Sequence, residues 1–381
     1  MIDVCGAGAV ASAGASVREI FEALCAGRGE AAEPRGFDLT KYRARLAFEI
    51  DDRPEPGRDV PLRSTRWLED VVAMAARDAG LGEDLSDVPV LVGTTLRELR
   101  SVELSWRDGV PFDTGELHFG TALRRRFDAA QTYTVANACS ASLYALALGT
   151  DLLAAHAADA VIVAGVDNIS ESTYGLLDRC YPEAPDALRP FDRNRRGMLQ
   201  GEGAAAVVLR RGGEGGEGGA RVHGRIRSVA VNCDAHHPSA PDAKSISIAI
   251  RQAHERAGVG PADIDLLMLH GTGTPLNDEA EARSVGEVFD EVRPSPWMTA
   301  IKSMTGHTAG ASGLHSLLVA LESLRAGVVP PVLGVTDVMD EMAGLRLVRD
   351  RAVPADLRVA QVNAFGFGGL NAVAVVERAA P

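Results

Sequence analysis

Residues 133–166 read YTVANACSASLYALALGTDLLAAHAADAVIVAGV and contain the pattern that decides the fold class. A short β-branched run at the start is followed by Ser140–Ala155, whose apolar residues recur three and four positions apart and predict a helix. The apolar run Val161–Val166 then predicts a strand. This succession of strand, helix and strand is typical of α/β layers with mostly parallel strands.

The same alternation continues along the chain and predicts an α/β protein. Other strands are predicted at Ala204–Leu209, Ile264–Leu269 and Ala372–Val376, and other helices at Thr65–Ala79, Ser245–Ala257, Glu279–Phe289 and Gly313–Ala326. The glycine-rich stretch Arg211–Ala220 is interpreted as a solvated loop. A break in the pattern at residues 236–244 predicts two units, residues 1–235 and 236–381.

Composition and charge exclude several classes of protein. The chain has 381 residues, of which 46% are hydrophobic and 24% charged, as in ordinary globular proteins. Its net charge of −13 argues against nucleic acid or an anionic membrane surface as the main partner. The sequence has no signal-peptide pattern and no long apolar run, so we expect a cytoplasmic protein that does not enter a membrane.

The cysteines indicate a reduced compartment. There are five, widely spaced and without CxxC pairs, so neither a disulfide framework nor a metal site is expected. Cys139 is a candidate nucleophile, because it opens a predicted helix, where unpaired N–H groups and the helix dipole favour a thiolate. The alternative is a small buried apolar residue, which is the usual role of a free cysteine.

Two histidines are candidates for the same site. His270 directly follows the predicted strand Ile264–Leu269, and ligands bind beyond the carboxyl ends of strands in open α/β sheets. His307 lies near a predicted helix start, which favours the neutral imidazole, and the charge of Lys302 acts in the same direction. A structural histidine and a surface lysine are the alternatives.

A glycine-rich turn, NAFGFGGLN at residues 363–371, lies between two predicted strands. Its N–H groups are candidates for an oxyanion hole, and the rings of Phe365 and Phe367 are candidates for a gate. A plain β-hairpin turn is the alternative.

These segments, in this order, resemble the β-ketoacyl-acyl-carrier-protein synthases, which are elongating ketosynthases of the thiolase superfamily. The resemblance covers nearly the whole chain and rests on six motifs: ACSAS, DAVIVAGVD, RPFDRNRRGMLQGEGAAAVVL, HGTGTPLND, KSMTGH and GFGG. It implies a thiolase-like five-layer αβαβα fold with two pseudo-duplicated halves, usually assembled as a dimer. The predicted boundary at 235/236 would separate the halves.

The resemblance also implies catalytic roles. Cys139 would accept an acyl group, with the N–H groups of Cys139 and Phe367 stabilising the oxyanion. His270 and His307 would hold the enolate that forms when a malonyl-type thioester loses CO₂. Lys302 would hold His307 in position and keep it neutral.

The substrates implied are thioesters on the phosphopantetheine arm of an acyl carrier protein, with no further cofactor. Thr272 and Thr274 are expected to hydrogen-bond that arm, and Leu96 to line the acyl pocket. Arginines are the candidates for docking the carrier, in two groups: Arg63 and Arg66, and Arg124, Arg125 and Arg126.

Other functions within the same resemblance stay open. The chain could be a chain-length-factor-like subunit that pairs with an active ketosynthase, although such subunits typically lack the cysteine. It could also be a ketosynthase-like acyltransferase. The presence of Cys139 together with His270 and His307 favours an active condensing enzyme in fatty-acid or polyketide biosynthesis, acting as a homodimer or as a heterodimer with a ketosynthase-like chain.

Overall fold

The computed structural model describes residues 1–55, 58–213 and 221–379. In this part of the chain the α-helices are α1 (Val17–Cys25), α2 (Arg63–Asp78), α3 (Leu99–Asp108), α4 (Gly120–Phe127), α5 (Ala141–Ala154), α6 (Glu171–Cys180), α7 (Ala243–Ala257), α8 (Pro275–Val288), α9 (Lys302–Thr305) and α10 (Ser312–Ala326). None of these helices is long and apolar enough to cross a membrane. Residues 214–220 of the predicted glycine-rich loop lie outside the described part.

The strands of the same described ranges are β1 (Ile2–Ala11), β2 (Val90–Gly93), β3 (Thr132–Val135), β4 (Ala160–Asp167), β5 (Gly203–Arg211), β6 (Gly224–Cys233), β7 (Leu266–Met268), β8 (Trp297–Thr299), β9 (Val328–Val329), β10 (Arg346–Leu347), β11 (Val353–Pro354), β12 (Val359–Gly366) and β13 (Leu370–Arg378). Short 3₁₀ helices lie at Thr114–Leu117, Ala138–Ser140, Pro261–Asp263, Ala309–Ala311 and Asp340–Met342. The four strands predicted at residues 161–166, 204–209, 264–269 and 372–376 are present, with bounds that differ by up to two residues. The strand predicted before the glycine-rich turn is present as β12 and extends to Gly366.

The main sheet contains the same arrangement of strands twice, once in each half. Its strand order is β10-β8-β7-β12-β13-β6-β1-β5-β4-β2-β3. Outward from the central β1 and β6, each half has two antiparallel pairings followed by two parallel ones. The half that begins at β6 adds a third parallel pairing, between β8 and the short edge strand β10. Because order and direction are both repeated, the sheet shows the two pseudo-duplicated halves that the resemblance implies.

Alternating residues of the strands bury the two faces of each half against different helices. In β5, Ala205, Val207 and Leu209 pack with α5 and α10, whereas Ala204, Ala206 and Val208 pack against α2. In β13 the residues at 372, 374 and 376 face the same central helices, and those at 373 and 375 face α7 and α8. The result is five layers, helix, sheet, helix, sheet and helix. Strands covered on both faces explain the continuous apolar runs of the sequence.

The predicted division at 235/236 stays a prediction, and the strand pairing shows what lies on either side of it. β6 pairs with β13 from Gly224 to Cys233, but with β1 only at Ile2–Val4. Hydrogen bonding therefore groups β6 with the later strands, and the sheet continues from one half into the other.

Candidate active site

Cys139 lies where β3 gives way to α5. Ala138 has a φ of +48°, a left-handed conformation that turns the chain sharply between the strand and the helix. Burial raises the pKa of the Cys139 thiol to about 11, although the charge of Lys302 and hydrogen bonds from the N–H groups of Cys139 and Phe367 lower it. The predicted position is therefore observed, and burial opposes the effect of the helix start, which favours the thiolate.

His307 occupies the matching position in the other half, just before α10. The starts of α5 and α10 touch: Ser312 Oγ donates to the Cys139 carbonyl at 3.3 Å, and Leu314 N donates to Ser142 Oγ at 3.2 Å. A Cβ on Gly313 would lie 2.7 Å from Leu143 Cγ, so only glycine allows this approach. The duplicated fold thus places Cys139 and His307 at one pocket.

The two imidazoles lie edge to face in that pocket. The ring centroids of His270 and His307 are 5.3 Å apart, and both side chains are buried. Burial, followed by the charge of Lys302, lowers both pKa values well below the usual value for histidine, so both rings are neutral at pH 7. Within the described residues, neither ring nitrogen of His307 has a hydrogen-bond partner. A buried polar group without a partner is available to a substrate oxygen.

Lys302 contacts His270, whereas the sequence analysis places it beside His307. Its Nζ donates to the His270 carbonyl at 2.6 Å and lies 3.3 Å from His270 Nδ1. The prediction that Lys302 holds His307 in position is therefore wrong, because β7 and β8 are neighbours and bring the start of α9 beside His270. The predicted effect on protonation is present, since the charge of Lys302 lowers the pKa of His307. An ammonium can only donate, so His270 Nδ1 accepts and Nε2 carries the proton.

Two carboxylates of α8, which the sequence analysis did not single out, hold the loop after β7. Glu281 accepts from the N–H groups of His270 at 2.7 Å and Gly271 at 2.9 Å. Asp278 accepts from the N–H groups of Thr272 at 3.1 Å and Gly273 at 3.2 Å. Their spacing of three residues on one helix face, just after a loop of small residues, is the signal that could have found them.

A third buried carboxylate, Asp167 at the end of β4, fixes the loop that carries Leu96. It accepts from Thr94 Oγ1 and from the N–H groups of Thr95 and Leu96, each at 2.8 Å, and from Gly310 N at 2.6 Å. Burial raises its pKa to about 6, against the effect of these four donors. Asp167 therefore joins the predicted pocket loop to the segment just before α10.

The chain matches the family models for the β-ketoacyl synthase N-terminal domain over residues 1–214 and the C-terminal domain over residues 223–336. It belongs to the β-ketoacyl synthase family. The 3-oxoacyl-[acyl-carrier-protein] synthase 2 of Coxiella burnetii is 26% identical over 98% of both chains. A solved structure described as the ishigamide ketosynthase/chain length factor is 31% identical, with a TM-score of 0.90 over 100% of this chain and 99% of that chain. The highly reducing polyketide synthase virA of Hypocrea virens is 31% identical over 65% of this chain, but the match spans only 11% of that protein.

Two cavities of this β-ketoacyl synthase meet at Cys139. The outer cavity is lined by Thr272 and Thr274, the residues predicted to contact the substrate arm. The inner cavity, of about 200 Å³, is lined mainly by apolar side chains that include Leu96, Leu177 and Met198. The structure thus brings Leu96 to the pocket where the sequence analysis places it.

The two phenylalanines of the GFGG turn have different environments. Phe367 lines both cavities and is 49% exposed. Phe365 lies inside β12, is buried, and packs against the His270 ring with centroids 5.7 Å apart. Of the two residues predicted to form a gate, Phe367 is therefore exposed at the cavities, while Phe365 is part of the buried wall behind His270.

Arg63 is not a docking residue. Its side chain is 0% exposed and its guanidinium pairs with Asp52 at 2.8 Å, Asp59 at 3.3 Å and Glu202 at 2.9 Å. A buried, fully paired guanidinium cannot meet a carrier, so the prediction for this residue is wrong. Three acidic partners from separate segments account for its burial.

The other candidate arginines lie on the surface. The exposed members are Arg66, Arg124, Arg125 and Arg126, which we call the basic surface. Burial raises the pKa of Glu69, one turn after Arg66 in α2, and the charges of Arg125 and Arg126 oppose that shift. The two groups of arginines are therefore close in space, although Arg125 also pairs with Glu116 at 3.5 Å.

Proposed function

We propose that this protein joins an acyl group held on Cys139 to a malonyl-type unit on an acyl carrier protein, releasing CO₂ and giving a β-ketoacyl thioester. The observation that carries this proposal is the convergence of Cys139 with two neutral, buried imidazoles at one pocket. Two N–H groups directed at the sulfur complete it. No metal or organic cofactor takes part, and the phosphopantetheine arm belongs to the substrate.

In the first step Cys139 Sγ attacks the carbonyl carbon of the carrier thioester. The N–H groups of Cys139 and Phe367 stabilise the oxyanion. Burial raises the pKa of the Cys139 thiol, so its proton must leave as the bond forms. The carrier thiolate leaves and takes up the proton, so the charges balance.

In the second step the malonyl-type thioester binds with its carbonyl oxygen between the imidazoles. Loss of CO₂ leaves an enolate, which accepts hydrogen bonds from Nε2–H of His270 and from a ring N–H of His307. Each donor of this kind contributes about 3 kcal/mol to stabilising a developing oxyanion. The enolate carbon attacks the acyl carbonyl and the bond to Cys139 Sγ breaks. The Cys139 thiolate that leaves takes a proton from solvent, which is the one proton that the overall reaction consumes.

We propose a cytoplasmic site of action and assembly as a homodimer or as a heterodimer with a ketosynthase-like chain. The five cysteines are all free thiols, which fits a reducing compartment. The relative described as a ketosynthase/chain length factor supports pairing with a similar chain. If the purified protein neither accepts acyl groups nor decarboxylates alone, but gains activity with such a chain, it is instead a partner subunit.

Selective acylation tests the nucleophile. We expect an acyl thioester or a cerulenin-type electrophile to modify Cys139 before the other four cysteines, because only Cys139 lies between the two cavities. Iodoacetamide, a small general reagent, should instead modify the exposed Cys180 and Cys233 first. Peptide mapping by mass spectrometry measures both patterns. Acyl groups found on Cys180 or Cys233, with Cys139 unmodified, would contradict the proposal.

Charge reversal tests carrier docking at the basic surface. An acidic protein repels an acidic carrier at long range, and this repulsion is screened beyond about 8 Å at physiological salt, so local arginines must attract it. Arg66→Glu with Arg125→Glu should raise the apparent KM for a carrier-bound acyl group severalfold, and more at low salt. Transfer from a small thioester should not change.

The matched control is Arg77→Glu, which reverses an exposed charge at the other end of α2, about 16 Å from Arg66. It should leave the KM for the carrier unchanged. An equal loss with carrier and small thioester would mean that the double variant damages the pocket, and the docking assignment would be wrong.

A further inference from the structure

A chain of buried side-chain hydrogen bonds runs from α7 to the catalytic loop. His254 Nε2 lies 2.7 Å from Gln361 Oε1, Gln361 Nε2 donates to Asn363 Oδ1 at 2.7 Å, and Asn363 Nδ2 donates to Glu281 Oε1 at 3.0 Å. All four side chains are buried. They face the apolar cluster between the sheet and α7, which includes Val359 of the same strand. Polar side chains placed there carry a desolvation cost that apolar residues would avoid.

Glu281, at the end of this series of hydrogen bonds, determines which group donates in each of them. A carboxylate only accepts, so Asn363 donates to Glu281 through its nitrogen and accepts from Gln361 through its oxygen. The Gln361 oxygen must then accept from His254, which carries its proton on Nε2. Burial lowers the pKa of His254, so the ring is neutral and this tautomer is fixed. Every bond therefore donates towards Glu281, and bonds aligned in this way strengthen one another.

Glu281 reaches the reacting groups by two routes. It accepts from the backbone N–H of His270, the histidine assigned to the enolate. Its negative charge also raises the pKa of Lys302, against the larger effect of burial, which lowers that pKa to about 8. The Lys302 ammonium in turn touches His270 Nδ1 and sets its tautomer. A change that destabilises the Glu281 carboxylate therefore lowers the pKa of Lys302, and so lowers the fraction of Lys302 that is an ammonium beside His270.

We propose that Gln361 and His254 are positioning residues that keep Glu281 ionised and aligned, and so hold His270 with its Nε2–H towards the substrate. This inference rests on the proposed function, because the benefit of that alignment is realised in decarboxylation. Acylation of Cys139 does not need it, since the N–H groups of Cys139 and Phe367 serve that step.

The decisive variant is Gln361→Met, which keeps the volume and removes both hydrogen bonds. We expect the kcat for decarboxylation of a malonyl-carrier thioester to fall about threefold to tenfold, with KM and the rate of Cys139 acylation within about twofold of wild type. His254→Leu should act in the same direction. The double variant should be no worse than Gln361→Met, because the chain is already broken.

A pH profile separates positioning from a structural role. Lys302 is faced by Glu281, Asp278, Cys139, His270 and His307, and His254 by Arg251 and Asp263. Decarboxylation needs the ammonium and is lost as pH rises through its pKa. With Glu281 less stable as an anion, that pKa falls, so the basic limb should move to lower pH by about half a unit.

The control is Ser228→Ala, which removes a 2.7 Å hydrogen bond from β6 to the Ala253 carbonyl of α7. It leaves the series of hydrogen bonds from His254 to Glu281 unchanged. It should change stability but not the pH profile. If Gln361→Met behaves like Ser228→Ala, or slows acylation and decarboxylation equally, the positioning role is wrong. If the wild-type protein does not decarboxylate at all, the proposed function fails instead.

Discussion

His307→Ala is expected to lower decarboxylation of a malonyl-carrier thioester by about 10²- to 10³-fold, while Cys139 still accepts an acyl group. The reason is that the enolate needs both imidazoles, whereas the acyl oxyanion is held by the N–H groups of Cys139 and Phe367. Neither ring nitrogen of His307 bonds to another described residue, so the substitution breaks no internal hydrogen bond of that ring. Release of labelled CO₂ and intact-protein mass spectrometry measure the two steps separately.

His315 provides the control for this substitution. It is as deeply buried as His307 and lies in α10, but its Nε2 contacts the Val10 and Ala204 carbonyls at 3.2 Å and its Nδ1 contacts Thr308 Oγ1. His315→Ala should therefore lower stability more than the decarboxylation rate of the folded protein. If His307→Ala slows acylation and decarboxylation to the same extent, the division of labour between the imidazoles and the N–H groups is wrong.

The parts of the site that the sequence predicts are those with local signals. The run Val161–Val166 is visible because β4 is buried on both faces and so is almost entirely apolar. His270 directly follows a short apolar run and Cys139 lies four residues after the end of another, and residues beyond the carboxyl ends of strands face a crevice. α8 starts four residues before its predicted bound, at Pro275, because proline is favourable at the first position of a helix.

Arg63 and Lys302 show what local patterns do not contain. The partners of Arg63 are at residues 52, 59 and 202, and only the folded chain brings them around one guanidinium. The pairing of β7 with β8 places Lys302 beside His270, 32 residues away in sequence, although His307 is only five residues away. Sequence distance is a poor guide to contact where neighbouring strands of a sheet end together.

The protonation of the Cys139 thiol is another property that the local sequence does not predict. The helix start and the nearby N–H groups are local features and favour the thiolate. Burial is a property of the whole fold, because α10 of the other half closes over the start of α5, and it raises the pKa to about 11. The sequence therefore predicts where Cys139 lies but not how strongly burial opposes its ionisation, which makes transfer of the thiol proton part of the proposed first step.

The contact between Lys302 and His270 leads to a prediction with a distinct pH dependence. Lys302→Met removes the donor to His270 Nδ1, so the ring no longer keeps its proton on Nε2, and decarboxylation should fall about 10- to 100-fold. The charge of Lys302 also lowers the pKa of Cys139, so alkylation of Cys139 at neutral pH should slow as well. Lys244→Met, which removes an exposed charge at the start of α7, should change neither rate.

The pH profile identifies the group responsible. Burial lowers the pKa of Lys302 to about 8, so its ammonium is present below that pH and is lost above it. Wild-type decarboxylation should therefore decline as pH rises through about 8, and Lys302→Met should lose this decline, because it has no ammonium to titrate. The pKa of His270 lies well below 6.5, so titration of this imidazole cannot produce a decline in that range. A basic limb that persists unchanged in Lys302→Met would assign the titration to another group and would contradict a role for Lys302 in holding His270.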